Sequence, residues 1–116
     1  MSAARTIVVE RFGGPEVMSL RTGEIPPPAP GEVQIRQTAI GFNLIDTYQR
    51  HGAYPLELPS RLGFEAAGRV EEVGPGVAGV SVGDRVAYMN AGLGAYADRR
   101  VAPHASSAGD IVPSSP

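Results

Sequence analysis

A chain of 116 residues fits one domain of ordinary size, and a 42% hydrophobic content suffices for a packed core. The net charge of −2, with no basic block, excludes an electrostatic footprint for nucleic acid. No apolar run is long enough for a membrane span. Cysteine is absent, which excludes disulfides, thiolate zinc sites and a cysteine nucleophile.

The first residues, Met1 to Arg5, carry no apolar signal region, so a cytoplasmic location is expected. With 15 Gly and 11 Pro, turns are frequent and short strands are expected rather than long helices. In chain order, Arg5–Glu10 predicts a strand, Phe12–Pro15 a turn and Val17–Arg21 a returning strand. Pro26–Gly31 is a stiff polyproline-like connector. Glu32–Ile40 alternates apolar Val33 and Ile35 with polar Gln34 and Arg36, as in a half-buried strand.

Asn43 has the character of a helix N-cap. Asp46, three residues on, places a carboxylate near the free N–H groups of the first turn. Leu44 and Tyr48 share one face of this short helix, and Gly52 is its expected stop. Gly63–Val73 predicts a long strand with a bulge at Gly68. Arg85–Met89 and Ala95–Val101 predict the last two strands. From Ala102 the chain becomes small, polar and Pro-rich, and residues 102–116 are expected to be a disordered tail. The sum is a mainly β, barrel-like domain with one short helix.

Two glycine patterns invite a nucleotide-binding reading: Gly74–Gly79 matches G-x-G-x-x-G and Gly92–Ala97 matches G-x-G-x-x-A. A phosphate-binding turn must follow a strand and open a helix. Val80-Ser81-Val82-Gly83 after the first match starts no helix. The second runs through strand-like residues toward Pro103, so both are expected to be turns. His51 at the helix end and His104 in the tail have no cysteine or second histidine nearby in sequence, and a surface role is expected for both. Ser106 and Ser107 lie in the tail without a nucleophile elbow. On spacing alone, Asn43–Tyr48 is a capped surface helix.

Several stretches taken in order carry more information. FGGPEVMSL, PPPAPGEVQIR, AIGFNLIDTYQRHGAYP, LPSRLGFEAAGRVEEVGPGVAGVSVGDRVAY and LGAYADRRV follow one another between residues 12 and 101, within a likeness that covers about residues 5–101. This set resembles the medium-chain dehydrogenase/reductase superfamily, in its quinone-oxidoreductase (zeta-crystallin-like) branch. The resemblance implies a GroES-like, partly open β-barrel over residues 1–101, with 102–116 a non-family tail. The family's Rossmann-type dinucleotide-binding domain is expected to be missing from this chain, as in a truncated or frame-shifted gene product.

The resemblance further implies a zinc-independent, NADPH-dependent reductase of quinones or conjugated carbonyls, with a homodimer as the expected assembly of the intact family. In the zinc alcohol dehydrogenases of the superfamily a catalytic Cys stands where Asn43 is here, and a ligand His where Phe64 precedes Glu65. No metal is therefore expected. Asn43, Leu44, Ile45, Asp46, Thr47 and Tyr48 would approach the nicotinamide end of the cofactor, with Asn43, Tyr48 and Tyr54 facing the substrate. The alternatives are a stand-alone GroES-like module that binds a protein or small hydrophobic ligand, and a subunit that meets a separate nucleotide-binding chain.

Overall fold

The β-branched run Thr6–Val9 belongs to strand β1 (Ser2–Val9), which pairs antiparallel with β2 (Met18–Ile25) from Ser2↔Ile25 to Val9↔Met18. A 3-10 turn at Pro15–Val17 redirects the chain between them. The computed structural model describes residues 2–104 and 112–113. Its remaining strands are β3 (Glu32–Ile40), β4 (Ser60–Arg61), β5 (Glu65–Val73), β6 (Arg85–Met89), β7 (Arg99–Pro103) and β8 (Val112–Pro113). One helix, α1 (Leu44–His51), lies between β3 and β4. Two sheets result, with strand orders β2-β1-β4 and β7-β3-β5-β6-β8. The architecture is mainly β with one short helix, as the sequence predicts. No helix among the described residues is long and apolar enough to cross a membrane.

The two sheets meet at residues 95–98. The Ile7 N–H donates to the Tyr96 carbonyl at 2.9 Å, and the Asp98 N–H donates to the Arg5 carbonyl at 3.0 Å. From the other sheet, the Gln37 N–H donates to the Asp98 carbonyl at 2.8 Å. Ala95–Asp98 is therefore an irregular seam, and the strand expected over Ala95–Val101 begins only at Arg99. It continues past the expected boundary, because Ala102 is fully buried opposite Val33 and Pro103 pairs with Glu32. Val112–Pro113 pairs with β6, while the rest of the expected tail, 105–111 and 114–116, lies outside the described residues.

The main core fills the larger sheet with Val33, Ile35, Val70, Val86 and Tyr88. A smaller cluster of Val9, Val17 and Leu62 packs beneath the other. β3 departs from simple alternation. Gln34 is only 2% exposed, on an interior strand whose polar side is exposed again at Arg36. Its amide donates to Glu71 Oε1 at 3.0 Å and to the Ser2 hydroxyl at 3.2 Å. Gln37 is buried too, and its amide nitrogen donates to the Ala95 and Ala97 carbonyls at 2.8 and 2.7 Å.

The bulge expected at Gly68 sits across the ladder. Gln37 pairs with Gly68 and Ala39 with Ala67, so the extra residue opposite Gly68 is Thr38 of β3, while β5 carries its own extra residue at Glu71, passed over between Gln34↔Glu72 and Ile35↔Val70. Gly68 answers a different demand. A Cβ there would overlap the Arg36 carbonyl oxygen and stand 2.8 Å from Gln37 Cα, both backbone atoms. Gly68→Ala is therefore expected to cost roughly 1–3 kcal/mol and to lower the melting temperature by about 4–8 °C per kcal/mol. Gly23→Ala is the control: nothing lies within 4 Å of its added carbon. Thermal melts followed by circular dichroism compare the two, and equal stabilities would refute the close-approach argument.

Candidate functional site

Helix α1 begins as the sequence predicts. Asn43 is its N-cap, in an extended conformation (φ −128°, ψ 148°), and Gly52 ends it in the left-handed region at φ +93°. The Asp46 carboxylate accepts the Asn43 backbone N–H at 3.1 Å, and the Asp46 N–H donates to the Asn43 carbonyl at 2.9 Å. At the other end, the Gly13 N–H donates to the Arg50 carbonyl at 2.9 Å and Arg50 Nε returns a bond to the Gly13 carbonyl at 3.2 Å. The Phe12–Pro15 turn thus holds the helix C-terminus. His51 lies on the surface beside Arg50, with Nε2 2.8 Å from Arg50 Nη2.

The helix is polar inside and apolar outside. Its buried residues are Asp46 and Gln49, while Leu44 is 62% exposed and Ile45 and Tyr48 also face outward. Phe42, just before it, is 69% exposed. An amphipathic helix that serves only its own core has the reverse arrangement.

Beside the helix N-terminus lies a cavity of about 230 Å3 lined by Asn43, Ile45, Phe64, Glu65, Met89 and Asn90. The two positions that the resemblance assigns to zinc ligands, Asn43 and Phe64, therefore face one space together with Glu65. Glu65 and Met89 also border a wider groove of about 660 Å3 across β3, β5 and β6. Gly41 lets Glu65 lie close: a Cβ at Gly41 would fall on the glutamate carboxylate, and its N–H donates to the Glu65 carbonyl at 3.0 Å. Among the described residues, no three His, Cys, Asp or Glu side chains gather as a metal site.

Tyr48 and Tyr54 stand apart from this cavity. Their rings tilt against each other at 5.8 Å between centroids, and both are exposed. Thr47 turns its hydroxyl back to the Leu44 carbonyl at 2.7 Å. Asp46 points into the fold, where the Tyr96 hydroxyl donates to Oδ2 at 2.5 Å. The structure thus joins Asn43 and Ile45 to Phe64 and Glu65, sets Tyr48 against Tyr54, and turns Asp46 inward.

Asn90 and Tyr96 were not expected here. Asn90 takes a left-handed conformation at φ +65° and donates its N–H to the Phe64 carbonyl at 2.8 Å. An Asn followed by Ala-Gly at a strand end was the available signal. Tyr96 meets Asp46 across 50 positions and leaves no local signal. Of the two glycine motifs, Gly76 and Gly79 take positive φ after β5, and Gly92 and Gly94 do so after β6. Neither stretch opens a helix.

Burial holds Tyr96 above the usual tyrosine range, and its hydrogen bond to the Asp46 carboxylate reinforces the effect. Tyr88 is also raised, mainly by burial, against the opposing charge of Arg100. A phenol with a raised folded pKa contributes stability that is complete below the unfolded value, about 10, and is lost as pH rises toward the folded value. Stability is therefore expected to fall above about pH 10. Tyr96→Phe should make that fall shallower, as urea midpoints collected from neutral to alkaline pH would show. An unchanged slope would remove the role of this phenol.

The alcohol dehydrogenase GroES-like domain family matches residues 29–110. The quinone oxidoreductase of Pseudomonas aeruginosa is 50% identical over 99 residues, covering 84% of this chain and 30% of its own length. The 2-haloacrylate reductase of a Burkholderia species is 46% identical over 100 residues, 83% of this chain and 30% of that protein. The solved Escherichia coli quinone oxidoreductase complexed with NADPH superposes with a TM-score of 0.85 at 43% identity, covering 94% of this chain and 33% of that one. The chain thus spans under a third of the length of these curated relatives. It belongs to the alcohol dehydrogenase GroES-like domain family, within the quinone-oxidoreductase branch of the medium-chain dehydrogenases/reductases.

Proposed function

We propose that this chain is the acceptor-side part of a zinc-independent, NADPH-dependent reductase of quinones and conjugated carbonyls, working in the cytoplasm. The observation that carries the reading is the cavity shared by Asn43, Phe64 and Glu65. A carboxamide and a phenyl ring at two ligand positions leave Glu65 as the one anionic donor there, and this set does not fit zinc. Hydride transfer to a simple ketone benefits from a Lewis acid on its oxygen. A quinone or enone spreads the arriving charge over its own π-system, so hydrogen-bond donors can replace the metal.

In this reading the Asn43 carboxamide donates to the acceptor oxygen as charge develops on it. Ile45, Phe64 and Met89 form apolar walls for a flat ring. Tyr48 and Tyr54 flank the approach along the outer side of the helix, where a phenol or water delivers the proton. NADPH, when bound, supplies the hydride. This chain offers the nicotinamide a wall from Asn43 to Tyr48, within which Asp46 acts as an internal brace. The relative named for 2-haloacrylate, a conjugated acid, supports an acceptor class wider than quinones.

Neither glycine-rich stretch can hold a pyrophosphate on a helix N-terminus. The chain alone is therefore expected to bind NADPH weakly and to show no turnover. Calorimetric titration and NADPH oxidation with 1,4-benzoquinone, corrected for the direct reaction, measure both. Micromolar binding with turnover would contradict this division of labour. Adding the separately expressed nucleotide-binding domain of the Pseudomonas aeruginosa relative should restore turnover, with Tyr48→Phe lowering the rate more than cofactor affinity. Failure to restore it would favour a ligand-binding module without catalysis.

Elemental analysis of purified, tag-free protein is expected to show no stoichiometric zinc. Zinc that survives dialysis at near one equivalent would defeat the metal-free reading.

A further inference from the structure

We infer that Tyr96 is a positioning residue for the acceptor site, acting through Asp46 on Asn43. The inference rests on the role proposed for Asn43. Its basis is one carboxylate oxygen with two donors: Asp46 Oδ2 takes the Tyr96 hydroxyl at 2.5 Å and the Asn43 backbone N–H at 3.1 Å. Asp46 is 2% exposed, and its other oxygen, Oδ1, is buried without a hydrogen-bond partner. The orientation of the carboxylate, and with it the Asn43 backbone, is therefore set by these two donors.

Tyr96 is a fixed post for such a bond. Its carbonyl accepts the Ile7 N–H at 2.9 Å, and its N–H donates to the Leu62 carbonyl at 3.1 Å. The phenol thus reaches from the seam between the sheets to the first turn of α1, and Asn43 sits at the end of that lever. Burial and the carboxylate keep the phenol protonated past the usual tyrosine range, so it remains a donor at neutral pH. Removing the hydroxyl leaves the carboxylate one donor. Arg50, which lines the same cavity of about 120 Å3 as Asp46 and Tyr96, becomes the competing partner. A turn of Asp46 toward Arg50 draws the Asn43 backbone with it, and errors of this size are costly where a donor must meet a reacting oxygen.

The test uses the full chain and the Tyr96→Phe variant, with Tyr88→Phe as control. Tyr88 is also a buried tyrosine, but it bonds Gln37 and Arg100, away from α1. Duroquinone is the probe, followed by 15N–1H correlation spectra. The chain has no cysteine and no lysine, so conjugate addition to those side chains does not obscure reversible binding.

Tyr96→Phe is expected to shift the Asn43 amide, speed its hydrogen exchange and weaken duroquinone by about tenfold. Tyr88→Phe should lower the melting temperature yet leave the Asn43 amide and its exchange rate in place. In an Asn43→Ala background, Tyr96→Phe should have no further effect on affinity. An unmoved Asn43 amide in Tyr96→Phe, or an equal loss of affinity with and without Asn43, overturns the inference. If Tyr96→Phe does not fold, Asp46→Asn is the second variant and must shift the same amide. Duroquinone that fails to bind even the unmodified chain sinks the acceptor site, while the Asn43 amide still decides the positioning claim.

Discussion

The backbone of Ala95–Asp98 is hydrogen-bonded to β1 on one side and to β3 on the other, and the rest of the molecule is arranged around that double attachment. A regular strand there, paired along both edges, would merge the two sheets into one. The irregular path lets successive peptide groups serve both, and the buried Gln37 amide completes the join by taking the Ala95 and Ala97 carbonyls. Arg5 reinforces it from outside, bonding Asp98 through its backbone N–H at 2.7 Å and its guanidinium at 3.2 Å. The exposed ion pair adds little by itself. Its value is in the direction it gives to peptide groups already held.

The same economy of backbone acceptors recurs at Arg100. Its guanidinium is buried, and among the described residues no carboxylate pairs with it. It donates instead to the Ala91 and Gly92 carbonyls at 3.2 Å each and lies 5.3 Å from the centre of the Tyr88 ring. A charge held by peptide carbonyls fixes the loop that supplies them. That loop begins at Asn90, on the rim of the cavity that holds Asn43. The two sides of the cavity are thus each secured from within, by a carboxylate on the helix side and by a guanidinium on the loop side.

Local chemistry made much of this legible. Alternation set Glu32–Ile40 at its observed bounds, Arg85–Met89 was also read at its observed bounds, and Asn43, Asp46 and Gly52 marked both ends of the helix. The family resemblance brought Asn43, Phe64 and Glu65 into one argument, which spacing alone could not do. What stayed hidden depends on partners far apart in the chain. Gln34 looked like a solvent-facing residue, but it is buried with its amide held by Ser2 and Glu71, 32 and 37 positions away. Gly68 looked like the bulge, although its neighbour Thr38 on the paired strand is the extra residue. The two-residue strand Ser60–Arg61 is too short to show a period, and only β1 makes it a strand. Tyr96 looked like a strand aromatic, because nothing near it in sequence points to Asp46.

The reversed polarity of α1 bears on how such a domain can be changed. Random mutation combined with a screen for higher soluble yield would favour polar replacements at Phe42, Leu44 and Tyr48, which leave large apolar areas exposed on the helix face. Each replacement would improve handling and erode the apolar face that the proposed acceptor site uses. Conversely, hydrophobic substitutions at Asp46 or Gln49 would make the helix look better packed while loosening its attachment. In this segment, selection for a better-behaved polypeptide and selection for recognition pull the same side chains in opposite directions.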